Sequence, residues 1–414
     1  MSGSVSVAPL VSSREFWGQP AAGRAAHFAE LRRDAPIVHC EPSAFSMAPQ
    51  QGGFWAVTRH RDVQLISRRP DLFRSGAGVG IGELPPEFLE LNASFLVMDP
   101  PRHTALRKIV SGAFTPRQVG RLEAAITAKA HDIVDEFVER GGGDVVAELS
   151  TTLPLWTIST MMGVPESMRE EFRSAAEGQI AAQDPDFSVP GKESSSVALE
   201  SAQTLHRLAA ELVADRRRNP GDDILSMLLE AEFEGAPIDD TTVRCIFVLF
   251  ATAGNDTTRT STSQGMRLFA EHPDQWQRLL DDPSLLGTAI EEIVRYSSPV
   301  IHFRRTATQD TELGGVAIAA GEPVVMFYES ANHDESVFAQ PAQFDIGRDP
   351  NPHVGFGGGG PHFCLGVSLA RRQLRSLFGR LVERVGGIEA GPADFLTSNF
   401  VNGVKRLPAT VTAR

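Results

Sequence analysis

The chain has 414 residues, 42% of them hydrophobic, enough to bury a large core, and a net charge of −13 that argues against a nucleic-acid or anionic-membrane partner. Its three cysteines, Cys40, Cys245 and Cys364, are far apart and odd in number, which fits a reducing cytosol and excludes a disulfide scaffold. No apolar run approaches the ~20 residues of a membrane span, no basic-then-apolar leader is visible, and no linker or repeat divides the sequence, so one cytoplasmic domain without a membrane anchor is expected.

After an irregular start, residues 21–33 are expected to be helical. The stretches 36–40 and 53–58 read as short strands, rich in β-branched and aromatic residues. His60–Arg68 reads as a helix and 76–82 as a flexible loop. Met98-Asp-Pro-Pro-Arg-His103 breaks the chain before a helix over 102–113. On it His103 and Arg107, four apart, share one face; alone, such a pair is a solvated basic face. Helices are expected over 117–140, 151–182 and 198–218, with a polar loop broken by proline and glycine over 183–196. Asp239-Asp240 cap a long helix that runs to about Ala270. Its middle is apolar on most sides and therefore central, yet it carries Gly254, Asp256, Thr257 and Thr258. Interior glycine costs ~1 kcal/mol relative to alanine, and a buried carboxylate adds a desolvation cost. The plain account is a helix bend with a satisfied aspartate.

Residues 283–298 form the next expected helix, with Leu286, Ile290, Ile293 and Val294 apolar and Pro299 as the stop. Glu292 and Arg295 are three apart, alone a surface pair worth a few tenths of a kcal/mol. Strands are expected over 303–310 and 323–328 around a Gly314-Gly315 turn. Then comes Gly355-Phe-Gly-Gly-Gly-Gly-Pro-His-Phe-Cys-Leu-Gly366. Four successive glycines free the backbone to bend, and Pro361 stiffens it before the cysteine. After Cys364 the pattern is helical, with Leu369, Ala370, Leu374, Leu377, Phe378 and Leu381 three and four apart. Cys364 thus sits where a bent loop enters a helix, whose positive N-terminus lowers a thiol pKa. A thiolate so held is a metal ligand or a nucleophile. A small buried hydrophobe is the bland alternative. A phosphate cradle lacks the following Lys-Ser/Thr, and a nucleophile would need a base where only His362, two residues away, is at hand.

The string Phe356-Gly-…-His362-Phe363-Cys364-Leu365-Gly366 resembles the heme-binding loop of the cytochromes P450, the heme-thiolate monooxygenases. It has one residue more between Phe and Cys than the common form. The longer, glycine-rich form is similar to that of actinobacterial members that oxidise branched lipids and sterols. Further motifs stand upstream in the family's order, so the resemblance covers nearly the whole chain. It implies a mainly α fold with a small β region, one P450 domain over residues 1–414 around a single buried heme b. Cys364 would be the axial ligand of the iron, with Phe356 and Gly366 in its loop. His103, Arg107, His362 and Arg305, or its neighbour Arg304 in place of the last, would bind the heme propionates. Ala253-Gly254-Asn-Asp256-Thr257 is similar to the oxygen-binding groove. Small Ala253 and Gly254 leave room over the heme, the Thr257 hydroxyl can bond back one turn and open the helix, and Asp256 would be the exchanging acid. Glu292-x-x-Arg295 resembles a buried structural pair whose third member would be Arg348. His333 stands where the family often has Arg, which puts local ion pairing in doubt. The pocket would be lined by Phe95, Val97, Val248, Ala251, Val300, Ile301, Phe400 and Val401, the last two on a hairpin over 398–408. The loop 183–196 would be its lid.

The implied reaction takes O2 and two electrons from NAD(P)H, puts one oxygen atom into a C–H bond and releases the other as water. The thiolate ligand favours O–O cleavage. No flavin or iron–sulfur motif is present, so a ferredoxin and its reductase are the expected electron partners. Arg102, Lys108, Arg117, Arg371, Arg372 and Arg375 would form a basic patch on the cysteine side that docks an acidic ferredoxin; the alternative is scattered solvated charge. A monomer is expected. The substrate expected is long, apolar and methyl-branched, a lipid, isoprenoid or sterol hydroxylated near a chain end. A peroxygenase of the same fold is one alternative, though such members lack the acid–threonine pair; a non-catalytic thiolate heme sensor or carrier is the other.

Overall fold

Short runs of β-branched and aromatic residues build the expected small sheet in a computed structural model that describes residues 10–414 apart from 20, 51, 183 and 188–191. Its five strands lie in the order Ile37–Cys40, Phe54–Val57, Pro323–Phe327, His302–Ala307, Phe73–Arg74. Neighbours are antiparallel except for the parallel pair Phe54–Val57 and Pro323–Phe327. Val325 is opposite Ala56 on one side and Arg304 on the other. Successive side chains alternate between the faces of a strand, so Arg304 and Arg305 are sent in opposite directions.

The helices carry the core. Val367–Arg384 buries Leu369, Leu374, Leu377, Phe378 and Leu381, the apolar stripe legible in its sequence. It lies against the helix Asp256–Glu271 so closely that a Cβ on Gly265 would stand 2.5 Å from the Phe378 ring. No side chain larger than hydrogen fits there.

Two expected helices are each divided. The central one is two helices, Asp240–Ala253 and Asp256–Glu271, parted at Gly254 and Asn255. The one expected over 151–182 is Thr152–Met161 and Glu166–Ala181. It is parted where Gly163 takes a φ of +70° ahead of Pro165, a conformation that glycine adopts without a steric cost. The next helix begins at Ser194, not 198, and runs Ser194–Arg216. The expected lid loop over 183–196 is therefore shorter, and 183 and 188–191 in it lie outside the described residues. Near the C-terminus the hairpin expected over 398–408 is wider, with Asp394–Phe395 paired to Val404–Arg406. Its far end is tied to the sheet side by a Val300–Val401 bridge. That tie brings Phe400 over the groove left between the sheet and the parted central helix.

Candidate active site

The cysteine loop is fixed by its own backbone. The Cys364 amide donates to the Phe356 carbonyl at 2.9 Å, and Gly357 to Val354 at 2.8 Å. Gly357, Gly359 and Gly360 have φ of +103°, +90° and +74°. A Cβ on Gly360 would sit 2.0 Å from the Ser67 carbonyl oxygen, and one on Gly358 2.5 Å from Ser67 Oγ. The glycine run thus lies against the end of the helix His60–Arg68. Gly366 caps the helix Val367–Arg384, and the Arg371 guanidinium stacks 5.0 Å over the Phe356 ring. Cys364 keeps some accessible surface although protein encloses it deeply. Burial pushes its thiol up, against the pull of the Gly366 amide, Arg107 and Arg371. The low thiol pKa expected from the helix N-terminus is therefore not a property of the polypeptide alone. Desolvation outweighs it, and a cation bound at the sulfur would favour the thiolate.

Beside this loop lies a cluster of basic side chains. His103, on the helix Arg102–Ser111, is 1% exposed, and neither ring nitrogen has a hydrogen-bond partner among the described residues. Its ring stands 4.2 Å from that of His362, whose Nε2 is 3.0 Å from Ser75 Oγ. Burial and neighbouring cations push His103 to about 4 and His362 to about 2. Arg107 donates to the Phe363 carbonyl. Arg305 is 4% exposed, donates to the Arg304 carbonyl at 2.8 Å, and has no ion pair among the described residues. Burial holds its pKa down. Two guanidiniums and two neutral imidazoles converge, and the carboxylate that acts on His103 and Arg305, Asp99, is itself held by the Ser75 and Gly76 amides; buried charge so weakly compensated is costly. A ligand carrying carboxylates at this edge, as heme does, fits that deficit. Arg304 points the other way as its strand position requires, and pairs with Glu83 at 2.6 Å. Of the two arginines it is Arg305 that joins this cluster.

On the opposite side, the parted central helix turns its break inward. Thr257 Oγ1 donates to the Ala253 carbonyl at 3.1 Å, the back-bond that the sequence suggested. Gly254 is needed there because a Cβ would come within 3.0 Å of Phe250 O and Ile158. Asp256 is fully buried. Arg259 Nη2 lies 2.8 Å from Asp256 Oδ1 without hydrogen-bond alignment, and neither carboxylate oxygen has a hydrogen-bond partner among the described residues. Burial pushes this carboxyl up to about 6, partly offset by Arg259. Arg259 in turn pairs with Glu177 at 2.9 Å, and Glu177 with Arg173 at 2.7 Å. Arg173, Glu177, Arg259 and Lys405 border a second cavity of about 380 Å³. Arg259 and Glu177 were missed in the sequence, although Asp256-x-x-Arg259 is the spacing of neighbours on a helix.

A cavity of about 300 Å³ lies under the break, lined by Ala253, Asp256 and Thr257, by Val97, Val300, Phe400 and Val401, and by Leu96, Leu249 and Thr252. Phe95, Val248, Ala251 and Ile301 do not line it. Phe95, Val248 and Ala251 belong to the main core. Ile301 is packed with Phe16, Trp17 and Phe327 in a separate cluster near the N-terminus. The central helix is turned by about one residue from the expected face, so Leu249 and Thr252 take the places expected for Val248 and Ala251.

Behind the cysteine loop, Glu292 and Arg295 are both fully buried and joined by two parallel hydrogen bonds of 2.7 and 2.8 Å. Arg348 reaches Glu292 at 3.1 Å, and Asn351 Nδ2 does so at 3.1 Å. Arg295 also donates to the carbonyls of Asn332, Pro341 and Gln343. Instead of pairing with a carboxylate, His333 sets Nδ1 3.0 Å from the Glu329 carbonyl. On the surface, Arg371 is paired with Glu291, Arg372 with Glu123 and Arg102 with Glu234. Lys108 and Arg375 are exposed. The Arg117 side chain lies outside the described residues.

A thiol at the mouth of a glycine-bent loop, a basic cluster beside it and a parted helix over an apolar cavity are the arrangement that a heme-thiolate oxygenase needs. The family model described as cytochrome P450 matches residues 87–385, and this chain belongs to that family. It is 41% identical over 97% of its length to the methyl-branched lipid omega-hydroxylase of Mycobacterium tuberculosis, of which 94% is covered. It is 39% identical over 91% of its length to the steroid C26-monooxygenase of Mycolicibacterium smegmatis, of which 88% is covered. Among solved structures, a Mycobacterium marinum cytochrome P450 in complex with pseudoionone matches with a TM-score of 0.93 and 47% identity, covering 96% of this chain and 97% of that one. The chain is accordingly a P450 monooxygenase, working with heme, O2, redox partners and an apolar substrate. Among the described residues no helix is long and apolar enough to cross a membrane.

Proposed function

We propose that this monooxygenase hydroxylates a long, methyl-branched lipid, isoprenoid or sterol near one chain end, as a single cytoplasmic domain. The observation that carries this reading is the cavity of about 300 Å³ closed by Leu96, Leu249, Phe400 and Val401 on its apolar sides and by Ala253–Thr257 at its floor. Apolar walls select by shape and length, gaining about 0.8 kcal/mol for each buried CH₂. A methyl branch limits which carbon can reach the floor. The names carried by the mycobacterial relatives support the same class.

Cys364 would hold the iron of a heme b, and Arg107, Arg305, His103 and His362 would hold its propionates. Bound there, the heme supplies the activation of O2, with one oxygen atom entering a C–H bond and the other leaving as water. The protein's share is to exclude bulk water, orient the chain end and move protons. The Thr257 hydroxyl, held on the Ala253 carbonyl, hands protons into the cavity, and Asp256 reloads it. Electrons come from NAD(P)H through a ferredoxin and its reductase, docking near the exposed Lys108 and Arg375. The test is a matched spin-state titration of branched fatty acids, isoprenoids and sterols against straight-chain and aromatic compounds. Branched lipids are expected to bind most tightly. A response confined to small aromatic or polar molecules would overturn the lipid reading.

A further inference from the structure

The lipid cavity contains one ion pair that the chemistry described so far does not use. Arg304 and Glu83 both line it, with Arg304 Nη1 2.6 Å from Glu83 Oε1. Arg304 is 5% exposed. Its only other side-chain partner among the described residues is the Ala77 carbonyl, at a long 3.4 Å from Nη2. Its Nε is buried without an acceptor. The glutamate is the loose partner, since its side chain keeps 34% of its surface against 6% for the arginine.

Two neighbours repeat the pattern. Asn399 lines the same cavity and is 8% exposed, and its Nδ2 has no acceptor. Its own carbonyl is bound 2.7 Å from His302 Nδ1, which seats Asn399 two residues along the strand from Arg304. Gln179 Nε2 is the third buried cavity-side donor without an acceptor. The Thr397 amide bonds Asp184 at 2.6 Å, so the end of the Glu166–Ala181 helix that carries Gln179 meets the Asn399 hairpin. The cavity thus carries three unused N–H donors and one fixed cation, alongside the Asp256 carboxylate, whose oxygens are likewise without a hydrogen-bond partner. Unsatisfied buried donors are costly, and an oxygen-rich anion beside Arg304 is a group that would relieve them.

We propose that Arg304, seconded by Asn399, reads a carboxylate head group on the lipid, and that Glu83 is an internal stand-in displaced toward solvent when the acid enters. The inference rests on the lipid reading above and makes that substrate an acid. It separates Arg304 from the neighbouring Arg305, which belongs to the heme edge.

The test is a spin-state titration of the holoenzyme with pristanic acid and with pristane, the hydrocarbon of the same skeleton, delivered from cyclodextrin. Arg304→Gln is expected to weaken the acid by about tenfold or more, the worth of a charge-assisted hydrogen bond, and to leave the hydrocarbon unchanged. Glu83→Gln removes the competitor and is expected to tighten the acid alone. A pair that merely holds the loop at 77–83 behaves otherwise. Both variants would then weaken both ligands together, and that result, or a weaker acid in Glu83→Gln, overturns the proposal. If the wild-type protein binds pristane but discriminates the acid through neither residue, only this inference fails. If it takes up neither compound, the lipid reading fails with it.

Discussion

Asp256 and Cys364 are each out of their ordinary protonation range for the same reason, burial, and that fixes what each is suited to. Burial raises the Asp256 carboxyl to about 6. A raised acid keeps its proton further up the pH scale, so the loaded donor is full below about 6 and is depleted as pH rises through that value. Coupled hydroxylation should therefore fall on that limb while NADH consumption continues, and Asp256→Asn should be slow and flat across it. Thr257→Ala should keep its heme and its substrate-induced spectral change but divert electrons to hydrogen peroxide. Product and peroxide yields per NADH check both, and full coupling in Thr257→Ala would remove the hydroxyl from the relay. Cys364→Ser is expected to lose the red-shifted Soret band of the reduced carbon monoxide complex. Cys40→Ser and Cys245→Ser should keep it, because Cys40 is buried with its thiol pushed up to about 12 and Cys245 is buried against the Glu90 carbonyl. A full thiolate band in Cys364→Ser would contradict the ligand assignment. The neighbours of Cys364 in sequence made this residue legible. Arg259 and Glu177 escaped notice because their meaning comes from a helix 82 positions away.

Helix spacing announced the Glu292–Arg295 contact and the family resemblance its burial and Arg348, but not the three carbonyls of Asn332, Pro341 and Gln343 that complete it. Removing one partner of such a pair strands the other charge, at a cost of roughly 3–5 kcal/mol. Glu292→Ala and Arg295→Ala are expected to yield heme-poor or misfolded protein, read by heme content and urea midpoint. Normal heme content with an altered product pattern would contradict a structural role. The parting of the central helix was hidden for a related reason. Gly254, Asp256 and Thr257 are tolerable within one bent helix, and only the Ala253 carbonyl taken by Thr257 and the close approach of Ile158 decide for two. That break also shifts the phase of Asp240–Ala253, which is why Leu249 and Thr252 face the cavity. The apolar stripe of Val367–Arg384 was legible because one face is buried and periodicity records it, and the strands at 37–40 and 54–57 were legible from their β-branched and aromatic residues, which pack on both faces.

At the scale of the molecule, the sheet aims Arg305 at the basic cluster and Arg304 at the apolar cavity, while the C-terminal hairpin brings Phe400 to the cavity from the far end of the chain. No local pattern carries that arrangement, since it joins residues about 300 positions apart, from Ala77 to Asn399. The site so assembled is meant to take both the oxygen atom and the regiochemistry from one geometry. The direct test is turnover of a methyl-branched fatty acid with NADH, a ferredoxin and its reductase under isotopically heavy O2, with the product read by mass spectrometry. The expected product carries one heavy oxygen on a carbon at or next to the chain end. Product formed only with hydrogen peroxide, or without heavy oxygen, would contradict it.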